Sequence, residues 1–135
     1  MAESLEVLDI VLKQMDLEFV GRGKHKISVE ELFSAPDGLL LDIRTAAEQR
    51  SLPLCFPGQV SILHIPLDEL PMRWGEVIDE AAVGIFCPHG VRASIAYTYL
   101  HARGKTNVRV LDGGYAGIAE MARPGAVLAS LKARG

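Results

Sequence analysis

A chain of 135 residues, 49% hydrophobic and 23% charged, suffices for one compact domain that buries well over half of its unfolded surface, and it calls for no second core. Its formal net charge of −3 leaves no electrostatic footprint for nucleic acid, because Lys and Arg are scattered except in Arg22-Gly23-Lys24-His25-Lys26, which reads as a solvated connector. Two cysteines are too few for a disulfide framework and suit a reducing cytoplasm, no stretch approaches the roughly 20 apolar residues of a membrane span, and Met1-Ala2-Glu3-Ser4 lacks the basic start of an export signal. The expectation is a cytoplasmic protein with neither nucleic acid nor membrane among its partners.

Residues 1–25 read as an amphipathic helix and a connector. Leu5, Leu8, Leu12, Met15 and Phe19 recur at alternating intervals of three and four, which predicts one apolar stripe that lies on its own domain or serves as a homodimer or docking contact. Residues 26–122 alternate between short apolar runs and amphipathic stretches. Strands are predicted at 26–27, 38–42, 60–65, 82–86 and 107–111, and helices at 28–34, 45–50, 67–80, 93–103 and 114–121. Ser28 with Glu31 forms a capping box, and Asp37-Gly38 is a turn ahead of the next strand. In the tail, 123–135, Pro124-Gly125 breaks the chain before a short helix at 126–134 with Val127, Leu128 and Leu131 inward. The alternation predicts an α/β domain, a mostly parallel five-stranded sheet with helices on both faces, plus the N-terminal helical extension.

Ligands of open α/β sheets sit at the carboxyl ends of the strands. There, after the strand placed centrally, stands Cys87-Pro88-His89-Gly90-Val91-Arg92. A cysteine between a strand and a helix start faces unpaired backbone N–H groups and the positive end of a helix dipole, which favour the reactive thiolate. Gly90 permits the curvature that turns successive amides inward, and Arg92 adds a permanent positive charge where the loop leaves. The loop is an anion cradle with a nucleophile at its base. Cys55, between Leu54 and Phe56, has no such setting and is expected to pack inward.

The loop resembles the active-site loop of the rhodanese-like sulfurtransferases, which begins with Cys and often ends in Arg after four intervening residues. Leu39-Leu40-Leu41-Asp42-Ile43-Arg44 with Glu48 resembles the family's early strand and its Asp-x-Arg signature. His64-Ile65-Pro66-Leu67-Asp68-Glu69-Leu70 is similar to the lead-in to its next helix, and Val110-Leu111-Asp112-Gly113-Gly114 to its last strand and turn. Two stretches depart. Only Pro57-Gly58 survives of the turn usual after the first helix, and Ile118 stands near a position the family often fills with Trp.

The resemblance implies a sulfurtransferase in which Cys87 carries a persulfide, with Arg92, His89, Gly90, Pro88 and Val91 binding the substrate. A small donor such as thiosulfate or a persulfide would supply the sulfur, and a thiol or a sulfur-carrier protein would accept it, with no organic cofactor. Asp42, Arg44 and Glu48 would form a structural ion cluster rather than take part in the reaction. His25, His64 and His101 are dispersed, and no Cys/His spacing suits a zinc site, so no metal is expected. Two rival readings remain. A cysteine phosphatase or arsenate reductase would carry five residues between Cys and Arg instead of four, and a sensing or interaction module would keep the fold without turnover.

Overall fold

The computed structural model describes residues 2–133. Two helices, α1 (Ala2–Lys13) and α2 (Leu17–Gly21), precede β1 (Lys26–Ile27), α3 (Val29–Ser34), β2 (Leu39–Asp42), α4 (Ala46–Ser51) and β3 (Ser61–His64). A broken helical segment around α5 (Leu70–Arg73) leads to β4 (Val83–Phe86), α6 (Val91–Ala102), β5 (Val108–Leu111), α7 (Gly114–Glu120) and α8 (Pro124–Ala133). Among the described residues the five strands form one all-parallel sheet in the order β1-β5-β4-β2-β3. None of their helices is long and apolar enough to cross a membrane.

The middle strands β2 and β4 are buried at every position, as a strand covered on both faces must be. Side chains alternate between two cores. Leu39, Leu41, Val83, Ile85, Val108 and Val110 pack against Ala93, Ala96, Tyr97 and Leu100 of α6, and Cys87 lies on this face. Leu40, Phe86 and Leu111 face Leu32 and Phe33 of α3 and Ile118 of α7. Chain order reverses between β2 and β4, so the loops leaving their carboxyl ends diverge and open a crevice. Cys87 therefore follows the central strand of the sheet.

Several local expectations are corrected. The helix expected at 67–80 is a 3-10 turn at Leu67–Glu69, four residues of α5 and a second 3-10 turn at Trp74–Glu76. In one continuous helix Pro71 would be interior, without an N–H for the carbonyl of Leu67. The N-terminal stripe is interrupted by Asp16, whose carboxylate caps α2 through the Phe19 N–H at 2.9 Å. Val11 is buried and Leu8 and Met15 are half-buried, whereas Leu5 and Leu12 are exposed. A straight helix repeats every 3.6 residues, so its contact stripe drifts off a strict heptad. That stripe packs α1 onto α6 of its own domain.

Position α8 begins at Pro124, a residue suited to the first helical turn, and Arg134 lies outside the described residues. Leu128 and Leu131 are exposed rather than inward; Ser130 of α8 is buried instead, with Ala126 half-buried one turn before it. Small side chains let α8 approach α3 closely. Cys55 is exposed, because in the extended stretch between its half-buried neighbours Leu54 and Phe56 alternate side chains point to opposite sides. Only half of the box at α3 forms: Ser28 accepts from the Glu31 N–H, while the Glu31 carboxylate binds Arg109.

Candidate active site

Cys87 is 3% exposed, and its sulfur accepts hydrogen bonds from the N–H of Gly90 at 3.0 Å and of Ala93 at 3.2 Å. Ala93 is the third residue of α6, whose N-cap, Gly90, offers no side-chain acceptor. The thiol sulfur thus occupies the place that a Ser or Asp oxygen takes in an ordinary helix cap, at the positive end of a 12-residue helix. Gly90 reaches that geometry with φ of 82°, a conformation costly for residues with a Cβ. The Ser94 hydroxyl donates to the Gly90 carbonyl at 2.8 Å and pins the turn from the helix side.

The turn after β5 supports the loop from beneath. Gly114 has φ of 57°, and a Cβ placed on it would stand 2.7 Å from the Pro88 carbonyl oxygen. Only a glycine lets α7 start this close to the cysteine loop.

Asp42 and Arg44 form a fully buried ion pair behind the loop. The Arg44 guanidinium donates to both carboxylate oxygens of Asp42, at 2.9 and 2.8 Å, to the Tyr115 hydroxyl at 3.0 Å and to the Glu48 carbonyl at 3.3 Å. It also lies 5.5 Å from the ring centre of Phe86, the residue before Cys87. These bonds, above all those to Asp42, hold the Arg44 pKa above its ordinary value. Glu48, expected in the same cluster, does something else. Its side chain accepts from the Thr45 N–H and hydroxyl, completing a capping box on α4, and receives both terminal nitrogens of Arg92 at 2.7 and 2.8 Å. The Arg92 hydrogen bonds, followed by that of the Thr45 amide, hold the Glu48 carboxyl well below the usual carboxylate range. Arg92 is raised in turn, chiefly by Glu48 and in smaller part by attraction to Cys87.

A cleft of about 480 Å³ opens over Cys87. Pro88, His89, Gly90 and Val91 line it, with His89 and Val91 exposed at its edge. Arg92 does not line it; its side chain borders a separate depression with Ile43, Thr45 and Pro66. The cleft is completed by residues that the sequence reading passed over. His25 and Lys26 come from the presumed solvated connector, and Ser94 and Asp112 from α6 and the end of β5. The imidazole of His25 stacks on Phe19, and its Nδ1 is buried with no hydrogen-bond partner among the described residues. Asp112 could have been found from its place at the carboxyl end of a strand, and Ser94 from its spacing of four after Gly90. His25 and Lys26 carried no local signal. Among the described residues no group of three or more His, Cys, Asp or Glu is arranged to hold a metal ion.

Comparison with known proteins gives the family of the chain. The sequence profile of the rhodanese-like domain matches residues 27–121. The chain is 31% identical over 111 residues to a tRNA sulfurtransferase of Aeromonas salmonicida, an alignment covering 77% of this chain and 23% of that protein. It is 29% identical over 102 residues to the tRNA sulfurtransferase of Vibrio cholerae, covering 73% and 21%. The chain thus spans less than a quarter of the length of these curated relatives. Among solved structures, an NAD-dependent persulfide reductase from A. fulgidus superposes with a TM-score of 0.54 at 27% identity, over 74% of this chain and 17% of that one. A single-domain sulfurtransferase of Saccharomyces cerevisiae superposes with the same TM-score of 0.54 at 18% identity, over 70% and 88%, and shares the fold.

Proposed function

Because the chain belongs to the rhodanese-like domain family, we propose that it is a sulfurtransferase that carries a sulfane sulfur as a persulfide on Cys87. One observation bears most of the weight: the Cys87 sulfur accepts two backbone N–H bonds at the start of α6 and faces an open cleft. A nucleophile needs access, and the anion formed on it needs donors aimed at its position before the reaction begins.

In the first half-reaction the Cys87 thiolate attacks the outer sulfur of a donor. With thiosulfate, the sulfur–sulfur bond of the donor breaks, sulfite leaves with the electron pair, and a new sulfur–sulfur bond forms on Cys87. With a low-molecular-weight persulfide, the donor sulfur–sulfur bond breaks, the parent thiolate leaves with the electron pair and takes up a proton from solvent, and the outer sulfur stays bonded to Cys87. In the second half-reaction an acceptor nucleophile attacks the outer sulfur of the persulfide, and the Cys87 thiolate is the leaving group. A small thiol or the thiol of a carrier protein fits this role. No redox equivalent enters either step.

Pro88, His89, Gly90 and Val91 would form the wall against which the donor and the persulfide rest. The amides of Gly90 and Ala93 supply the directed donors, and Arg92 adds a positive field at the sulfur from outside the cleft, tempered by Glu48. The relatives named tRNA sulfurtransferases lend support to sulfur transfer as the chemistry; their nucleic-acid substrate belongs to proteins of which this chain spans less than a quarter.

Intact-mass analysis tests the reading. The protein is expected to gain about 32 Da, one sulfur atom held covalently, on exposure to thiosulfate or a persulfide, and to lose it to cyanide or excess thiol. Cys87→Ser should abolish the gain and Cys55→Ser should keep it. A gain that persists in the Cys87 variant would overturn the assignment.

A further inference from the structure

Two charged side chains in the Cys87 cleft have no partner that the fold requires. Lys26 and Asp112 both line it, both are exposed, and neither makes an ion pair or side-chain hydrogen bond among the described residues. The neighbouring cations are committed elsewhere, Arg92 to Glu48 and Arg109 to Glu31.

The strand register sets where these charges stand. Lys26 is paired with Val110, and Val110 with Ile85, so the three share a row across the sheet. Cys87 lies two residues beyond Ile85 and Asp112 two beyond Val110. Period-two alternation therefore puts Asp112 on the same face as Cys87, one strand over, and Lys26 on that face one strand further. Strand spacing places the backbones of Asp112 and Lys26 roughly 5 and 10 Å across the sheet from that of Cys87. A carboxylate and an ammonium on the same side of one nucleophile match a donor that carries an ammonium and a carboxylate of its own.

We infer that Lys26 and Asp112 are specificity residues that receive the α-carboxylate and α-ammonium of an amino-acid persulfide while its outer sulfur meets Cys87. The inference rests on the sulfur-transfer reading and names the donor class for that site. Lys26 takes the carboxylate, Asp112 takes the ammonium, and Arg92 takes no part in donor recognition.

Four synthetic donors separate the charges: cysteine persulfide carries both groups, N-acetylcysteine persulfide only the carboxylate, cysteamine persulfide only the ammonium, and hydroxyethyl persulfide neither. Lys26→Gln should raise KM about fivefold for the first two, the scale of one exposed ion pair, and leave the last two unchanged. Asp112→Asn should do the same for cysteine and cysteamine persulfides and spare the other two. The kcat should hold throughout, Lys26→Arg should restore the Lys26 effect, and added salt should shrink both effects. Equal changes for all four donors, or loss of only one half of the pattern, would overturn the paired recognition while Cys87 still gained sulfur. Absence of any sulfur gain on wild-type Cys87 from all four donors would instead overturn the sulfur-transfer reading, and this inference with it.

Discussion

Replacing Arg44 by Met should leave a folded protein with a large stability deficit. Arg44 is fully buried and Asp42 is 1% exposed, and the guanidinium satisfies both carboxylate oxygens while also reaching Tyr115 and the Glu48 carbonyl. Methionine fills a similar volume but returns none of those bonds, so the carboxylate is left buried with the Arg44 backbone N–H at 3.2 Å as its remaining donor. Breaking one side of a buried ion pair costs about 3–5 kcal/mol, since the surviving charge is neither solvated nor paired. At about 2.1 cal/mol/K per residue, a chain of 135 residues unfolds with an entropy near 0.28 kcal/mol/K, so the loss corresponds to a fall in Tm of roughly 10–18 °C. Thermal and urea unfolding of wild type, Arg44→Met, Asp42→Leu and the double variant would measure it. The double variant should recover most of the loss, because a well-packed apolar pair often matches a buried ion pair in stability. A single variant within about 1 kcal/mol of wild type, or a double variant as unstable as the sum of the two, would refute this account of the pair.

Two further outcomes follow from the residues around the loop. Glu48→Gln should cost about 0.5–1 kcal/mol near neutral pH, the range for a half-exposed pair; because the folded carboxyl sits below its unfolded value, the difference from wild type should hold above about pH 4.3 and shrink as pH falls below it, which unfolding curves between pH 3 and 7 would follow. A pH-independent difference would detach Glu48 from Arg92. Gly114→Ala should push the Pro88 carbonyl away and slow sulfur loading of Cys87 by roughly 10- to 100-fold in a protein that still melts cooperatively, as stopped mass measurements would show; an unimpaired loading rate would mean that the turn after β5 does not position the loop.

Features that depend on near neighbours were legible in the amino-acid chain. Alternating apolar runs and amphipathic stretches predicted all five strands and the parallel α/β arrangement, because period and turn chemistry are local properties. The Cys87 loop was legible for the same reason, since a strand, four loop residues and a helix start lie within one stretch of chain. Local signals misled where direction rather than type was at stake: Cys55 between two inward neighbours, and Leu5 and Leu12 on a helix whose contact stripe is set by α6. Tertiary structure alone decided that Glu48 reaches across 44 residues to take Arg92, leaving Asp42 to Arg44. It also decided that a two-residue strand joins β5 at the register that carries Lys26 to the cleft. A carboxylate has several cations within reach in any such sequence, and which of them it meets is settled only when burial fixes the register of the strands and the faces of the helices.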